Sequence, residues 1–437
     1  MGPAPVPPGL EAARRMLAFI DAAPSPFHAC AQAAERLEAA GFRPLREVDA
    51  WPAGVGSFYV RRGGSLVAWT TGAQHGPTAG FRIIGAHTDS PNLRIKPQPD
   101  VGRAGYRQLA VEVYGGALLN SWLDRDLGLS GRVVARGPDG PEERLLLVDR
   151  PLLRVPQLAI HLDREISSHG LHLNAQQHLS PIWGVGDPTP GGFASFVAKE
   201  IDVAPEAIVG WDLMAHDLTP STILGADDEL VSAPRLDNLC SSWAGVEALV
   251  AASATGAAPP QIPVLVLFDH EEIGSSSDRG ADSTLLPALT ERIVLGLGGG
   301  REDVLRALAA SVCCSADNAH ATHPNYADRH EPNHLIELNA GPVLKLNSNV
   351  RYATDATSAA PFVAACEQAG VPFQRYSHRS DLPCGSTIGP ITASRLGITT
   401  FDVGVPQLAM HSARELCGSA DPAHYTAAMA AFLVPAA

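Results

Sequence analysis

The sequence lacks the features that mark several classes of protein. Basic charge is scarce: 32 Lys and Arg stand against 46 Asp and Glu, and the resulting net charge of −14 repels phosphate backbones and anionic lipids. The N-terminal stretch has no apolar core of signal-peptide length, and no uncharged apolar run is long enough to span a bilayer. We therefore expect a cytoplasmic protein that binds neither nucleic acid nor membrane.

Common catalytic motifs are missing as well. The seven cysteines include no C-x-x-C pair, which argues against both a disulfide framework and a thiolate zinc site. No G-x-S-x-G is present, so a serine-hydrolase elbow has no support. The glycine run at 296–300 matches neither the dinucleotide-binding nor the P-loop spacing. The chemistry of this chain must depend on other residues.

The 437 residues are enough for two or three domains, and their order indicates two. Helical and strand-like patterns alternate after Pro234, as in the helical pattern at Leu236–Ala252 and the apolar run at Ile262–Phe268. Residues 92–234 instead show β-branched runs between Gly and Pro turns. The sequence predicts an α/β domain, residues 1–91 and 235–437, with a mixed central sheet flanked by helices and interrupted by a β-rich domain.

Ionisable residues follow the ends of four apolar, strand-like runs. His87 and Asp89 follow one run, Asp269–Glu272 follows another, and Asp317 and His411 follow the remaining two. Ligands of open α/β sheets bind beyond the carboxyl ends of the strands. The four ends are therefore expected to converge on one crevice.

Imidazole and carboxylate groups without thiolate suit a hard or borderline divalent ion such as Zn²⁺, with Mn²⁺ or Co²⁺ as substitutes. Two ions fit the residue set better than one, because each ion receives one His and one carboxylate if a third carboxylate bridges them. Asp237, near the start of the predicted helix at Leu236–Ala252, is the candidate bridge. The candidate ligands are His87, Asp237, Glu272, Asp317 and His411.

The neighbouring acids Glu271 and Glu272 cannot reach one metal in the same way. We assign Glu272 to the metal and Glu271 to the water between the ions, as a general base. Asp89 lies two residues after His87, so on an extended segment it returns to the same side and can orient the imidazole. Each residue alone is more often a cap or a satisfied polar group, and the two glutamates also suit the first turn of a helix.

The segment His330-Glu-Pro-Asn-His334 matches the H-E-x-x-H motif of single-zinc proteases. That motif requires a helix to bring both histidines onto one face. Pro332 would break such a helix, and Asn325 and Asn333 favour turns. We expect a turn here and no metal site.

Six motifs in order resemble those of the M18 family of metalloaminopeptidases, in particular its aspartyl aminopeptidases. The motifs are Gly85-Ala-His87-Thr-Asp89-Ser-Pro91, Arg235-Leu-Asp237-Asn238, Asp269-His-Glu271-Glu272-Ile-Gly274, Ser315-Ala-Asp317-Asn-Ala-His320, His323-Pro-Asn325-Tyr326 and Met410-His411-Ser412. They extend over nearly the whole chain, and a set of six is far more specific than any one of them.

The resemblance implies a two-zinc exopeptidase with Glu271 as the base. Its implied ligands are His87 and Asp317 on one ion, Glu272 and His411 on the other, and Asp237 between them. It also implies that the β-rich domain serves dimerisation and that dimers form a tetrahedral dodecamer. His161 lies in the motif whose histidine reaches a neighbouring subunit's active site, although it would also suit an ordinary polar surface.

The resemblance further implies peptide substrates with an N-terminal Asp or Glu. Lys345 is similar to a residue that would pair with the acidic side chain, and Tyr352 and His320 would add hydrogen bonds. The alternative for Lys345 is an exposed lysine. Two other functions remain open: an amidohydrolase or deacylase on the same scaffold, and a non-catalytic oligomeric binding shell.

Overall fold

The computed structural model describes residues 8–254 and 259–436. Its contacts divide the chain into two compact units. The first unit contains the described residues up to Asp89, Ser221–Met410 and the described residues from Glu415 onward, and the second contains Ser90–Pro220 and His411–Arg414.

The elements follow one another in chain order. The N-terminal part of the first unit contains α1 (Pro8–Asp21), α2 (Pro26–Ala39), β1 (Arg43–Pro44), β2 (Gly56–Arg62), β3 (Ser65–Thr71) and β4 (Phe81–His87). The second unit contains β5 (Asn92–Arg103), β6 (Tyr106–Tyr114), β7 (Leu127–Gly137), β8 (Gly140–Leu153), α3 (Ile166–His169), α4 (Ala175–His178), β9 (Ile182–Val185), α5 (Gly192–Glu200) and β10 (Ile208–Asp217).

The chain then returns to the first unit for its remaining elements. These are β11 (Thr222–Leu224), β12 (Leu230–Ala233), α6 (Leu236–Ala254), β13 (Ile262–Phe268), α7 (Leu285–Gly296), α8 (Arg301–Ala309), β14 (Val312–Ala316), β15 (Ala319–His320), β16 (Val343–Leu346), α9 (Ala360–Ala369), β17 (Gln374–Ser377), α10 (Ile388–Leu396), β18 (Thr399–Gly404), β19 (Pro406–Leu408), β20 (Glu415–Gly418) and α11 (Asp421–Leu433).

A nine-stranded mixed sheet forms the centre of the first unit, in the order β1-β2-β3-β13-β4-β14-β18-β16-β17. The neighbours β13, β4, β14 and β18 are parallel, whereas β3 and β16 run antiparallel to them. The four parallel strands therefore end at one edge of the sheet, which positions the residues that follow them. The predicted mixed α/β fold is confirmed.

Helices cover both faces of this sheet because its central strands are apolar on both sides. Every residue of β13 is buried. Leu265 and Leu267 pack in one core with α1, α2, α6 and α11, whereas Val264 and Val266 pack in a second core with α7 and α8. Such continuous apolar runs are typical of strands buried on both faces.

The second unit is built on a six-stranded antiparallel sheet, β8-β7-β10-β5-β6-β9, whose apolar core includes Phe193 of α5. Its bounds differ from those predicted for the β-rich domain, 92–234. The short strands β11 and β12 belong to the first unit, because β12 pairs with β20 in a five-stranded sheet. The placement of 411–414 in the second unit has no counterpart in the prediction.

Among residues 8–254 and 259–436, none of the helices combines the length and the apolar composition needed to cross a bilayer.

Candidate metal centre

His87 is the last residue of β4, and Asp89 holds its imidazole in place. The ring is 1% exposed, and Nδ1 lies 3.0 Å from the backbone oxygen of Asp89 and 3.5 Å from its carboxylate. An Nδ1–H that donates to Asp89 leaves Nε2 as the metal-binding nitrogen. Nε2 lies 3.4 Å from Asp237 Oδ1 and 3.7 Å from Asp317 Oδ1, so it faces two carboxylates.

Carboxylates from separate parts of the chain meet this nitrogen. One ligand atom each from His87, Asp237 and Glu272 lies within 4.8 Å of the others, a spacing that a single ion can bridge. Asp237 lies where the backbone at the start of α6 departs from helical dihedrals, and its N–H donates to Glu415 Oε2 at 2.9 Å. Asp317 directly follows β14. The ends of β4, β13 and β14 and the start of α6 thus supply a compact set of metal-binding groups.

Asp89 has a contact that its spacing from His87 does not reveal. Its two carboxylate oxygens accept hydrogen bonds from the backbone N–H groups of Glu271 and Glu272, each at 3.1 Å. Asp89 therefore anchors the turn that carries both glutamates, and its backbone also orients the histidine. The turn is tight, with His270 in the left-handed region at φ 67°.

The buried acidic groups of this cluster favour the binding of a cation. Burial alone would lower the pKa of His87, but its contacts with Asp237, Asp317 and Asp89 raise that pKa well above the ordinary value. Burial, and then the nearby carboxylates, raise the pKa of Glu271 to about 8. Several buried acids close together are unfavourable, and Lys345, whose Nζ lies 3.9 Å from Asp317 Oδ2, supplies only part of the positive charge they need. A divalent ion would supply that charge, and a His and carboxylate donor set fits zinc.

The predicted residues His411 and His161 belong to the second unit. Nδ1 of His411 donates to the backbone oxygen of Gly116 at 3.1 Å, within that unit. His161 lies in a short 3-10 turn, Ile160–Leu162, whose apolar residues are exposed. The roles assigned to both histidines remain predictions.

Lys345 is buried, which excludes the alternative of an exposed lysine. It is 2% exposed, and its Nζ donates to the backbone oxygens of Asp317 at 2.8 Å and Asn318 at 3.1 Å. The same Nζ lies 5.0 Å from the centre of the Tyr352 ring. Lys345 thus holds the segment that carries a predicted metal ligand, a contact that its position in an apolar run did not indicate.

His320 lies beside this group. Burial, and then the charge of Lys345, lower the pKa of His320 to about 4, so its imidazole is neutral near pH 7. The His320 ring lies 6.3 Å from the ring of Tyr376, which in turn lies 6.3 Å from that of Tyr352. Sequence reasoning missed Tyr376, because its neighbour in the sheet, Lys345, is distant along the chain.

The H-E-x-x-H match at 330–334 forms no helix, as predicted from Pro332. His330 Nε2 accepts a hydrogen bond from the backbone N–H of His323 at 3.0 Å, and His334 contacts Glu331. Both histidines therefore have local partners.

Known proteins with similar sequences and structures identify the family. A family model described as aminopeptidase I zinc metalloprotease (M18) matches residues 19–433. A Streptomyces coelicolor protein named probable M18 family aminopeptidase 2 is 56% identical over 424 residues, which are 96% of this chain and 97% of that protein.

Solved structures agree with the sequence relatives. A chain of the Ape4 and Nbr1 complex has a TM-score of 0.94 at 37% identity, covering 97% of this chain and 86% of that one. S. cerevisiae mApe1, solved as a dodecamer, has a TM-score of 0.84 at 29% identity, covering 97% and 96% of the two chains. The chain belongs to the M18 family of zinc aminopeptidases.

Proposed function

We propose that the protein removes the N-terminal residue of peptides, preferably Asp or Glu, with two zinc ions and Glu271 as general base. The observation that carries the proposal is the convergence of His87, Asp237 and Glu272, whose ligand atoms lie within 4.8 Å of one another. Glu271 is adjacent in sequence to one of these ligands and interacts electrostatically with His87. A base next to a metal site is the arrangement that hydrolysis of a peptide bond requires.

The proposed ligands follow the family resemblance. They are His87 and Asp317 for one ion, Glu272 and His411 for the other, and Asp237 for both. When bound, zinc supplies a Lewis acid that polarises the substrate carbonyl and lowers the pKa of water. Asp89 keeps the His87 ring in place and fixes the backbone of the Glu271 turn.

Glu271 has the role of moving the proton. Its carboxylate takes a proton from the attacking water and passes it to the leaving amine, so one group serves as base and then as acid. The two hydrogen bonds from this turn to Asp89 limit the motion of the backbone that carries this carboxylate. Restricted motion favours proton transfer, because the donor and acceptor must lie within hydrogen-bond distance.

The acidic preference is assigned to Lys345, with Tyr352 and His320 beside it. Two of the three ammonium protons of Lys345 are used by backbone oxygens, and Nζ also lies 3.9 Å from Asp317 Oδ2, so the third proton is the one proposed to meet a substrate carboxylate. The chain's net charge of −14 does not attract acidic peptides from a distance. Selection therefore has to take place inside the pocket, through local charges.

Self-association belongs to the same proposal. The second unit is proposed to serve dimerisation, dimers to form a tetrahedral dodecamer, and His161 to reach the active site of a neighbouring subunit. Support comes from the dodecamer of S. cerevisiae mApe1 and from the exposed apolar side chains that flank His161, Ile160 and Leu162. Mass measurement in solution, with and without Leu162→Ser, would test it.

The test of the mechanism is Glu271→Gln, with Glu302→Gln as the control because Glu302 is exposed on α8. With zinc content measured in both variants, Glu271→Gln should reduce kcat by about 100-fold or more. The control should keep wild-type turnover. Near-wild-type kcat in zinc-loaded Glu271→Gln would refute the role of the base.

Substrate choice is tested with Asp-nitroanilide and Leu-nitroanilide. Equal kcat/KM for the two would refute the acidic preference but leave the aminopeptidase activity intact. Cleavage of N-acetylated in preference to free-amine substrates would favour a deacylase. No amidase activity after loading with Zn²⁺, Mn²⁺ or Co²⁺ would favour a non-catalytic shell.

A further inference from the structure

A basic cavity of about 300 Å³ lies in the first unit, where the segments that follow β16 and β17 face each other. Its basic lining residues are Arg351, His378 and Arg379, and Asn347 and Asn349 add amide groups. None of the described residues that line it is an Asp or a Glu. In a chain with 46 acidic residues, such a lining favours an anionic ligand.

One of these basic groups, Arg351, has donors available to a ligand. The exposed guanidinium of Arg351 forms no ion pair with any acid in the part of the chain that the structure describes. Arg379 differs, because Asp381 accepts hydrogen bonds from its Nε and Nη2 at 2.6 and 3.0 Å. The cavity therefore offers one guanidinium that is not already neutralised.

The imidazole of His378 also lines the cavity. Its Nδ1 lies 2.5 Å from the hydroxyl of Tyr376, and its Nε2 is buried without a hydrogen-bond partner among the described residues. If the tyrosine hydroxyl donates to Nδ1, the proton of the neutral ring is on Nε2. A buried N–H without an acceptor is unfavourable, and the ring that carries it lines the cavity.

The cavity is close to the proposed substrate pocket but has different walls. Lys345, Tyr352 and His320, which are assigned to the N-terminal side chain, do not line it. Tyr376 connects the two regions: its ring lies 6.3 Å from those of Tyr352 and His320, and its hydroxyl meets His378. A peptide whose first side chain reaches Lys345 thus has a second basic site nearby.

We propose that this cavity binds a second carboxylate of the peptide substrate, either the side chain of a later acidic residue or the C-terminal carboxylate. A volume of about 300 Å³ is at the lower end of ligand pockets, so the cavity takes a residue rather than a long peptide. The ligand assignment rests on the proposed peptidase function. The cavity makes the enzyme selective for short peptides that carry two negative groups.

The experiment compares three peptides: Asp-Ala-Ala-amide, Asp-Ala-Ala with a free C-terminus, and Asp-Glu-Ala-amide. KM should be lower for at least one of the two peptides that carry a second carboxylate than for Asp-Ala-Ala-amide. The peptide that shows the lower KM identifies whether the bound carboxylate is the C-terminal group or the side chain. Arg351→Gln should raise KM for that peptide by about tenfold and leave the first peptide unchanged, because a charge-assisted hydrogen bond is lost. Arg351→Lys should keep part of the effect.

The matched control is Arg375→Gln, because Arg375 is exposed on β17 but does not line the cavity. It should leave all three KM values unchanged. Equal KM for the three peptides in the wild type would overturn the proposal. An equal rise for all three in Arg351→Gln would overturn it too.

A binding measurement separates this proposal from the peptidase function. Acetyl-Ala-Ala and acetyl-Ala-Ala-amide, with acetyl-Glu-Ala-amide as the side-chain arm, are titrated calorimetrically into the zinc-loaded protein, where no free amine is available for cleavage. Tighter binding of a carboxylate peptide that depends on Arg351 supports the site even if no peptide is hydrolysed. If neither carboxylate peptide binds more tightly than the amide, the proposal fails even if aminopeptidase activity is present.

Discussion

Replacing Lys345 by Met removes a buried cation from beside the proposed metal ligand Asp317. Methionine keeps much of the stem volume but cannot donate the hydrogen bonds to the backbone oxygens of Asp317 and Asn318 at 2.8 and 3.1 Å. Hydrogen bonds from a charged group contribute about 1.5–3 kcal/mol each. Lys345 also lowers the pKa of Asp402, a fully buried carboxyl whose pKa burial raises. We expect the free energy of unfolding to fall by roughly 3–5 kcal/mol, as when one partner of a buried charge pair is removed.

The variant should also bind zinc more weakly, because the backbone that carries Asp317 loses its support. Loss of a group that orients a metal ligand typically costs about 10–100-fold in metal affinity. Comparison of two substrates then separates two roles of Lys345. If it acts only through Asp317, kcat/KM falls by the same factor for Asp-nitroanilide and Leu-nitroanilide. If it also binds the substrate carboxylate, the loss is larger for Asp-nitroanilide.

Stability is measured by urea unfolding, and zinc affinity by competition with a chelator. Lys199→Met is the control, since Lys199 is one of the chain's three lysines and is exposed on α5. Unchanged stability together with unchanged zinc affinity in Lys345→Met would refute the structural role of this ammonium group.

Three further perturbations have defined outcomes. Ser25→Ala should lower the free energy of unfolding in urea by about 1 kcal/mol, because Ser25 caps α2 and accepts from His28 N–H; a loss near zero would contradict this. Chelation of zinc should lower the thermal midpoint, and added zinc should restore it, whereas an unchanged midpoint would argue against the proposed metal site. Burial raises the pKa of Asp421 to about 7, so the contribution of this carboxyl to stability should fall as pH rises from about 4 to about 7. Urea unfolding of Asp421→Asn at several pH values should show a weaker decline over that range, and an identical pH dependence would contradict the assignment.

The sequence predicted the elements around the site well where the signal was local. The run Ile262–Phe268 is uninterrupted, apolar and followed by charged residues, and β13 has these same bounds. The four strand ends also share one edge, because the strands that precede them are parallel neighbours. Hydrophobic runs and their polar ends suffice for this part of the fold.

Pairing between distant segments could not be predicted in this way. The strands β11 and β12 have the same composition as the β-rich region before them, so the predicted boundary fell at 234. Their assignment depends on pairing between β12 and β20, which follows far later in the chain. The hydrogen bonds from Glu271 and Glu272 to Asp89 could not be predicted for the same reason, because they join strand ends that are distant in sequence.

The charge of the protein affects an acidic peptide differently at long range and inside a pocket. Screening at physiological ionic strength limits interactions between exposed charges to about 8 Å, so the net charge of −14 has little influence on a peptide already inside a pocket. Within that distance the relevant groups are Lys345, which contacts a proposed metal-bound segment, and Arg351, which has no acidic partner among the described residues. An acidic protein can therefore select acidic peptides, provided that its few buried or unpaired cations line the path of the substrate.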